Sequence, residues 1–70
     1  MKLKIGDIVI GYGANLYEII DIQNDEYILK IIKILHIDEI YPYYIGQIST
    51  THIEDSILRK ITPLEKLKYL

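Results

Sequence analysis

Tyr44-Ile45-Gly46-Gln47-Ile48-Ser49-Thr50-Thr51-His52-Ile53-Glu54-Asp55-Ser56-Ile57-Leu58-Arg59-Lys60-Ile61 decides the fold of this chain. Tyr44, Gly46, Ile48 and Thr50 alternate with Ile45, Gln47 and Ser49, the period of two that marks a strand, here expected over residues 43–50. Gly46 falls inside that run, where glycine permits a sharp bend or a close backbone approach. Residues 51–56 have the length of a single 3₁₀ turn, and residues 57–61 read as a further short strand. The stretch is thus strand, tight polar turn, strand.

Working outward, three more strands precede it. Ile8-Val9-Ile10 follows a Gly-Asp turn. Residues 16–22 form the second strand, although Glu18 and Asp21 fall on opposite faces. Gln23-Asn24-Asp25-Glu26 is a polar hairpin turn between two apolar runs. The third strand runs from residue 27 to about residue 35, with Lys30 and Lys33 one residue out of step. That slip predicts a β-bulge or strong bend near Ile31-Ile32. A helix over residues 27–40 is the rival, since Ile28, Ile31, Ile32, Leu35 and Glu39 approach a 3.6-residue period. The density of isoleucine and the hairpin before it favour strand. Residues 36–42 connect onward, with Pro42 holding Tyr41 extended. At the end, Thr62 is placed to cap a short helix, with Pro63 in its first turn and Glu65 where a capping-box acid belongs. Leu64, Leu67 and Leu70 then line one side, positioned to cover an open end of the fold.

Composition agrees with an all-β class. Seventeen of the 70 residues are isoleucine, with no phenylalanine, tryptophan or cysteine. Stiff β-branched side chains suit a pleated, half-buried surface. Without cysteine there are no disulfides, so apolar packing must hold this single small domain, residues 1–70. Ten acids and eight bases give a net charge of −2, opposite to the basic footprint expected of a phosphate-driven nucleic-acid binder. No stretch suits a signal peptide or membrane span; the longest uncharged run, residues 40–53, contains Pro42, Gly46 and Gln47. The expected location is the cytoplasm.

The opening Lys4-Ile5-Gly6-Asp7-Ile8-Val9 and the closing Leu58-Arg59-Lys60-Ile61 with Thr62-Pro63-Leu64 make the chain resemble the Src-homology-3-like (SH3-like) small β-barrels. The opening resembles barrels of the bacterial and translation-factor kind, and the acidic turn Glu54-Asp55-Ser56 with the closing stretch resembles those of small phage and mobile-element proteins. The resemblance implies a five-stranded barrel with a short C-terminal helix or tail, and a binding role. The chain lacks the tryptophan and the acidic aromatic loop with which the eukaryotic signalling members hold proline-rich peptides, so that ligand is not implied.

No nucleophile elbow or glycine-rich phosphate loop is present, and no enzyme is expected. His36-Ile37-Asp38-Glu39 and His52-Ile53-Glu54-Asp55 repeat a pairing of histidine with acids, residue types that ligate metal. No third specific ligand accompanies them, and the ordinary reading is two polar turns. Neither metal nor cofactor is expected. Seven tyrosines supply flat apolar faces with polar tips, favoured at interfaces. Tyr17, Tyr27 and Tyr44 are expected in the core, with Tyr12, Tyr41 and Tyr43 exposed. The leading expectation is a host-protein-binding module that inhibits a defence factor through Tyr12, Tyr41 and Tyr43 with Asp38 and Glu39. An alternative nucleic-acid surface needs Lys30, Lys33, Arg59 and Lys60 to converge through contact of the third and fifth strands. A third reading is a homo-oligomeric sponge for a nucleotide, since so small a barrel cannot bury every isoleucine.

Overall fold

The computed structural model describes residues 3–36, 42–53 and 58–70. These form β1 (Ile8–Ile10), β2 (Leu16–Gln23), β3 (Glu26–Lys33), β4 (Ile48–His52), β5 (Arg59–Lys60) and a helix α1 (Pro63–Tyr69). The strands build one antiparallel sheet in the order β4-β3-β2-β1-β5. The last strand therefore lies beside the first. Among the described residues no ladder joins β4 to β5, so the sheet is open rather than closed into a barrel.

The β2–β3 hairpin is the hub. Its turn is two residues, Asn24-Asp25, because Gln23 and Glu26 form the last pair of the ladder. Asn24 takes φ 53, a conformation its short polar side chain tolerates better than most. The register is interrupted twice. Leu16 and Tyr17 face Lys33 and Ile31, which leaves Ile32 as an extra residue on β3; Ile19 and Asp21 face Leu29 and Ile28, which leaves Ile20 extra on β2. The bulge expected near Ile31-Ile32 is present, and β2 carries a second. Each explains a slip in the charge pattern. A bulge shifts every later side chain to the other face, so Glu18 and Asp21 share one face despite their odd spacing. The ladder rules out a helix over Glu26–Lys33, while residues 37–40 lie outside the described part.

Two matching arms dock on this hub. In Lys4-Ile5-Gly6-Asp7 the Asp7 amide donates to the Lys4 carbonyl at 3.0 Å, with Gly6 at φ 95. In Tyr44-Ile45-Gly46-Gln47 the Gln47 amide donates to the Tyr44 carbonyl at 3.1 Å, with Gly46 at φ 89. Both are β-turns that need positive φ at the third residue, hence glycine. In each, the fourth residue's side chain accepts from the first residue's amide: Asp7 Oδ2 from Lys4 at 2.9 Å, Gln47 Oε1 from Tyr44 at 3.1 Å. Each turn then clasps a buried isoleucine. Gly6 donates to the Ile19 carbonyl and Ile19 to that of Asp7; Gly46 donates to the Ile31 carbonyl and Ile31 to that of Gln47. The turn at residues 44–47 corrects the strand expected from residue 43, since a backbone at φ 89 cannot continue an extended ladder. The observed β4 begins at Ile48 and runs on through Thr51 and His52, which sequence reasoning assigned to a 3₁₀ turn; residues 54–57 lie outside the described part.

These correspondences amount to an internal two-fold. Ile8 opposes Glu18 while Ile48 opposes Lys30, and Glu18 pairs with Lys30 at the centre. The bulged Ile20 answers the bulged Ile32. Tyr17-Glu18-Ile19-Ile20-Asp21-Ile22 reappears as Leu29-Lys30-Ile31-Ile32-Lys33-Ile34 with the charges inverted.

One face of the sheet forms the core. Val9, Tyr17, Ile19, Leu29 and Ile31 are fully buried, joined by Leu3, Tyr27 and Leu58. The expected core tyrosines Tyr17 and Tyr27 are there. At about 25 cal/mol per Å² of apolar surface removed from water, this cluster is the main stabilising term of a chain without disulfides.

Helix α1 starts as the capping signature requires. Glu65 N–H donates to Thr62 Oγ1 at 3.1 Å and Thr62 N–H to Glu65 Oε1 at 3.0 Å. Its leucines do not cover an end of the fold. Leu64, Leu67 and Leu70 are 76, 85 and 63 % exposed, because polar residues on the opposite side make the attachment.

Candidate functional site

That attachment starts on the sheet. Arg59 on β5 pairs with Ile10, Ile10 with Leu16, and Leu16 with Lys33, making one row across four strands. The two ends of this row hold α1. Arg59 presents both guanidinium nitrogens to Glu65 at 2.8 Å each, and Lys33 Nζ donates to the Tyr69 carbonyl. The helix is thus tied to both ends of a row that runs through the fully buried Leu16. The Glu65 side chain is turned toward the sheet, and Leu64, Leu67 and Leu70, on the other side of the helix, are exposed. An amphipathic helix ordinarily buries its apolar side on its own domain. Here it is mounted the other way round.

The fork also sets the charge on Glu65. Its pKa is drawn down to about 2, first by the Arg59 hydrogen bonds and then by the Thr62 amide, while that of Arg59 is raised by the same pair. A carboxylate with a depressed native pKa stabilises fully above its ordinary titration range, and that contribution is lost as pH falls through the native value. The α1 attachment is therefore expected to be constant above about pH 4.3 and to loosen as pH falls toward about 2. The Cα chemical shifts of Leu64 and Leu67, compared between the native chain and Glu65→Gln, measure it. A profile identical in both would refute the assignment.

Sequence reasoning placed its interface elsewhere. Asp38, Glu39, Tyr41 and the side chain of Tyr12 lie outside the described residues. Tyr43, expected on the surface, is half-buried and packs against the core, its ring filling the space beside Gly13. Tyr44, expected in the core, is 63 % exposed. The exchange follows from the turn: Tyr43 answers buried Leu3 in the other arm, and Tyr44 answers Lys4. Ile45 at 61 % and Ile48 at 53 % exposure continue this strip onto β4, and Ile5 at 59 % answers Ile45.

The four expected basic residues do not form one surface. β2 and β1 separate β3 from β5. Arg59 and Lys33 are committed to α1, Lys60 Nζ lies 3.4 Å from Asp7 Oδ1, and Lys30 faces Glu18 in the ladder. Lysines do gather in a groove of about 640 Å³ lined by Lys4, Asp7, Ile8, Lys60, Ile61 and Lys66. At its base Asp7 is 7 % exposed. Burial opposes its charge, but the Lys4 amide and the Lys60 ammonium outweigh that and hold its pKa below the ordinary value. The carboxylate thus cancels part of the groove's positive charge.

His36 and His52 are exposed, and their neighbouring acids at 38, 39, 54 and 55 lie outside the described residues. Among the described residues no three metal-ligating side chains cluster, and no helix is long and apolar enough to cross a membrane. The outward leucine face was missed because the spacing Leu64, Leu67, Leu70 states that a helix has an apolar side, and only the placement of Arg59 and Lys33 states which way it points. Comparison with protein-family models, curated proteins and solved structures finds no match to the chain.

Proposed function

We propose that this chain is a non-enzymatic protein-binding module of the SH3-like small-barrel type, and that the outward leucine face of α1 is its docking surface. The observation that carries the binding role is the mounting of that helix: polar contacts at Arg59–Glu65 and Lys33–Tyr69 anchor it, while three leucines at 63–85 % exposure face solvent. An exposed apolar side costs solubility, and covering it with a complementary apolar groove recovers the hydrophobic term. The SH3-like reading is supported by the placement of the last strand beside the first and by the Lys4-Ile5-Gly6-Asp7 opening. The same resemblance makes the partner a host protein, and the role that of a phage or mobile-element accessory protein inhibiting host defence.

The experiment is capture from a bacterial lysate on immobilised chain, beside Leu64→Asp combined with Leu67→Asp. A buried leucine contributes about 1.5–3 kcal/mol, so the double variant is expected to lose at least about 100-fold in affinity. Its circular dichroism should be unchanged, because neither leucine is buried in the free protein. Retention of the partner by the variant at native stoichiometry would sink this reading.

A further inference from the structure

Among the described residues, the internal two-fold leaves one position unfilled. On β1, residues 7 and 9 bond to β2, so the backbone of Ile8 and Ile10 points the other way, toward β5. There the Ile61 amide donates to the Ile8 carbonyl at 3.1 Å, and Lys60 and Arg59 pair with Val9 and Ile10. On β4 the alternation is the same. Ile31 donates to the Gln47 carbonyl and Ile53 to that of Asp25, which places the ladder bonds at 47, 49, 51 and 53. The amides and carbonyls of Ile48, Thr50 and His52 therefore point outward. The carbonyl of Ile48 stands where that of Ile8 stands, yet among the described residues no strand takes the place of β5.

Natural sheet edges are usually blunted by charge, proline or a bulge. β4 has none of these. From Tyr44 to Ile53 there is no Asp, Glu, Lys or Arg, and Ile45, Ile48 and Ile53 are exposed along it. We infer that this edge pairs with the same edge of a second copy of the chain, antiparallel about a two-fold at Thr50.

The register follows from the outward groups. Thr50 pairs with Thr50 of the second copy, and Ile48 with its His52, so all six outward amides and carbonyls of the central residues on each side find partners in the alternating pattern of an antiparallel ladder. No like charges meet. Row by row, Lys30 and Ile48 of one copy continue into His52 and Glu26 of the other, which places opposite charges at the two ends of the row. Ile53 of the second copy comes beside Gln47, near the exposed Ile45. The contact is isologous and closes as a dimer with a continuous ten-stranded sheet. It is separate from the leucine face of α1, so it stands whether or not that face binds a partner.

Sedimentation of the full chain over a wide concentration series, with Thr50→Pro and Thr50→Lys, tests this. Proline removes the outward Thr50 amide while leaving the bonds to β3 intact; lysine sets two ammonium groups opposite each other across the two-fold. The native chain is expected to pass from 8.2 kDa to twice that mass as concentration rises. Both variants are expected to stay monomeric at the highest concentration, with native circular dichroism. A native chain that remains at 8.2 kDa throughout would overturn the inference, leaving the edge to an extended segment of another protein. Dimers of a folded Thr50→Lys chain as tight as the native ones would also overturn it.

Discussion

Ile19→Ala and Ile31→Ala are each expected to lower the free energy of unfolding by about 2–5 kcal/mol. Both side chains are fully buried in the same core face, and each residue's amide and carbonyl are clasped by one of the two glycine turns. Truncation removes apolar contact and leaves a cavity under a backbone that the turn holds in place, so collapse is limited. For a chain of this length the whole stability is about 4–10 kcal/mol, and either change takes a large share of it. Because the two positions are equivalent, their losses should agree within about 1 kcal/mol, inside the context dependence of such substitutions. Ile5→Ala and Ile45→Ala, at the exposed second positions of the same turns, should each cost under about 0.5 kcal/mol. Urea unfolding followed by circular dichroism reads all four. Losses below about 1 kcal/mol at Ile19 or Ile31 would refute the clasped-core account.

Asn15→Leu is expected to change stability by no more than a gain of about 1–2 kcal/mol, because it relieves about 1–3 kcal/mol of unpaired-amide cost while its greater bulk adds packing strain. Asn15 is fully buried, and neither its Nδ2 nor its Oδ1 has a hydrogen-bond partner among the described residues. Each atom has lost water without replacement, which is the costly case for a polar group. Leucine has the same branched outline and needs no partner, but it is the larger side chain, so packing strain offsets part of the gain; the backbone bond from Gly11 N–H to the Asn15 carbonyl is untouched. Asn15→Ala would also remove the orphaned amide but leave a void, so its gain should be smaller. The same urea titration separates these outcomes. A leucine variant less stable than the native chain by more than about 3 kcal/mol, beyond what packing strain costs, would mean that the amide is satisfied in solution.

Much of the fold was legible because local chemistry and tertiary structure agree. Ile8-Val9-Ile10, the β2–β3 hairpin and the Thr62-Pro63-Leu64-Glu65 cap each carry their signature within a few residues. The slip between Lys30 and Lys33 located a bulge. The matching slip between Glu18 and Asp21 was visible too, but as an isolated fault it carried no meaning until the register paired it with the first. The repeat itself was hidden by its charges, since Glu18 and Asp21 in one copy become Lys30 and Lys33 in the other. Tyr43 and Tyr44 exchanged roles because alternation was carried through Gly46, where the chain turns instead of extending. The expected barrel closure and the inward helix face both required knowing what packs on what, and no periodicity contains that.

The paired turns bear finally on how the chain acquires its shape. The hairpin closes over two residues, the most local pairing in the sheet. The N-terminal arm and the β4 arm then add on opposite sides, each through its own clasp. Each arm has its own backbone bonds to the hairpin, so two parallel routes to the native state are expected. Weakening one clasp should redirect folding traffic through the other, leaving the overall rate less sensitive to either turn than the equilibrium stability is.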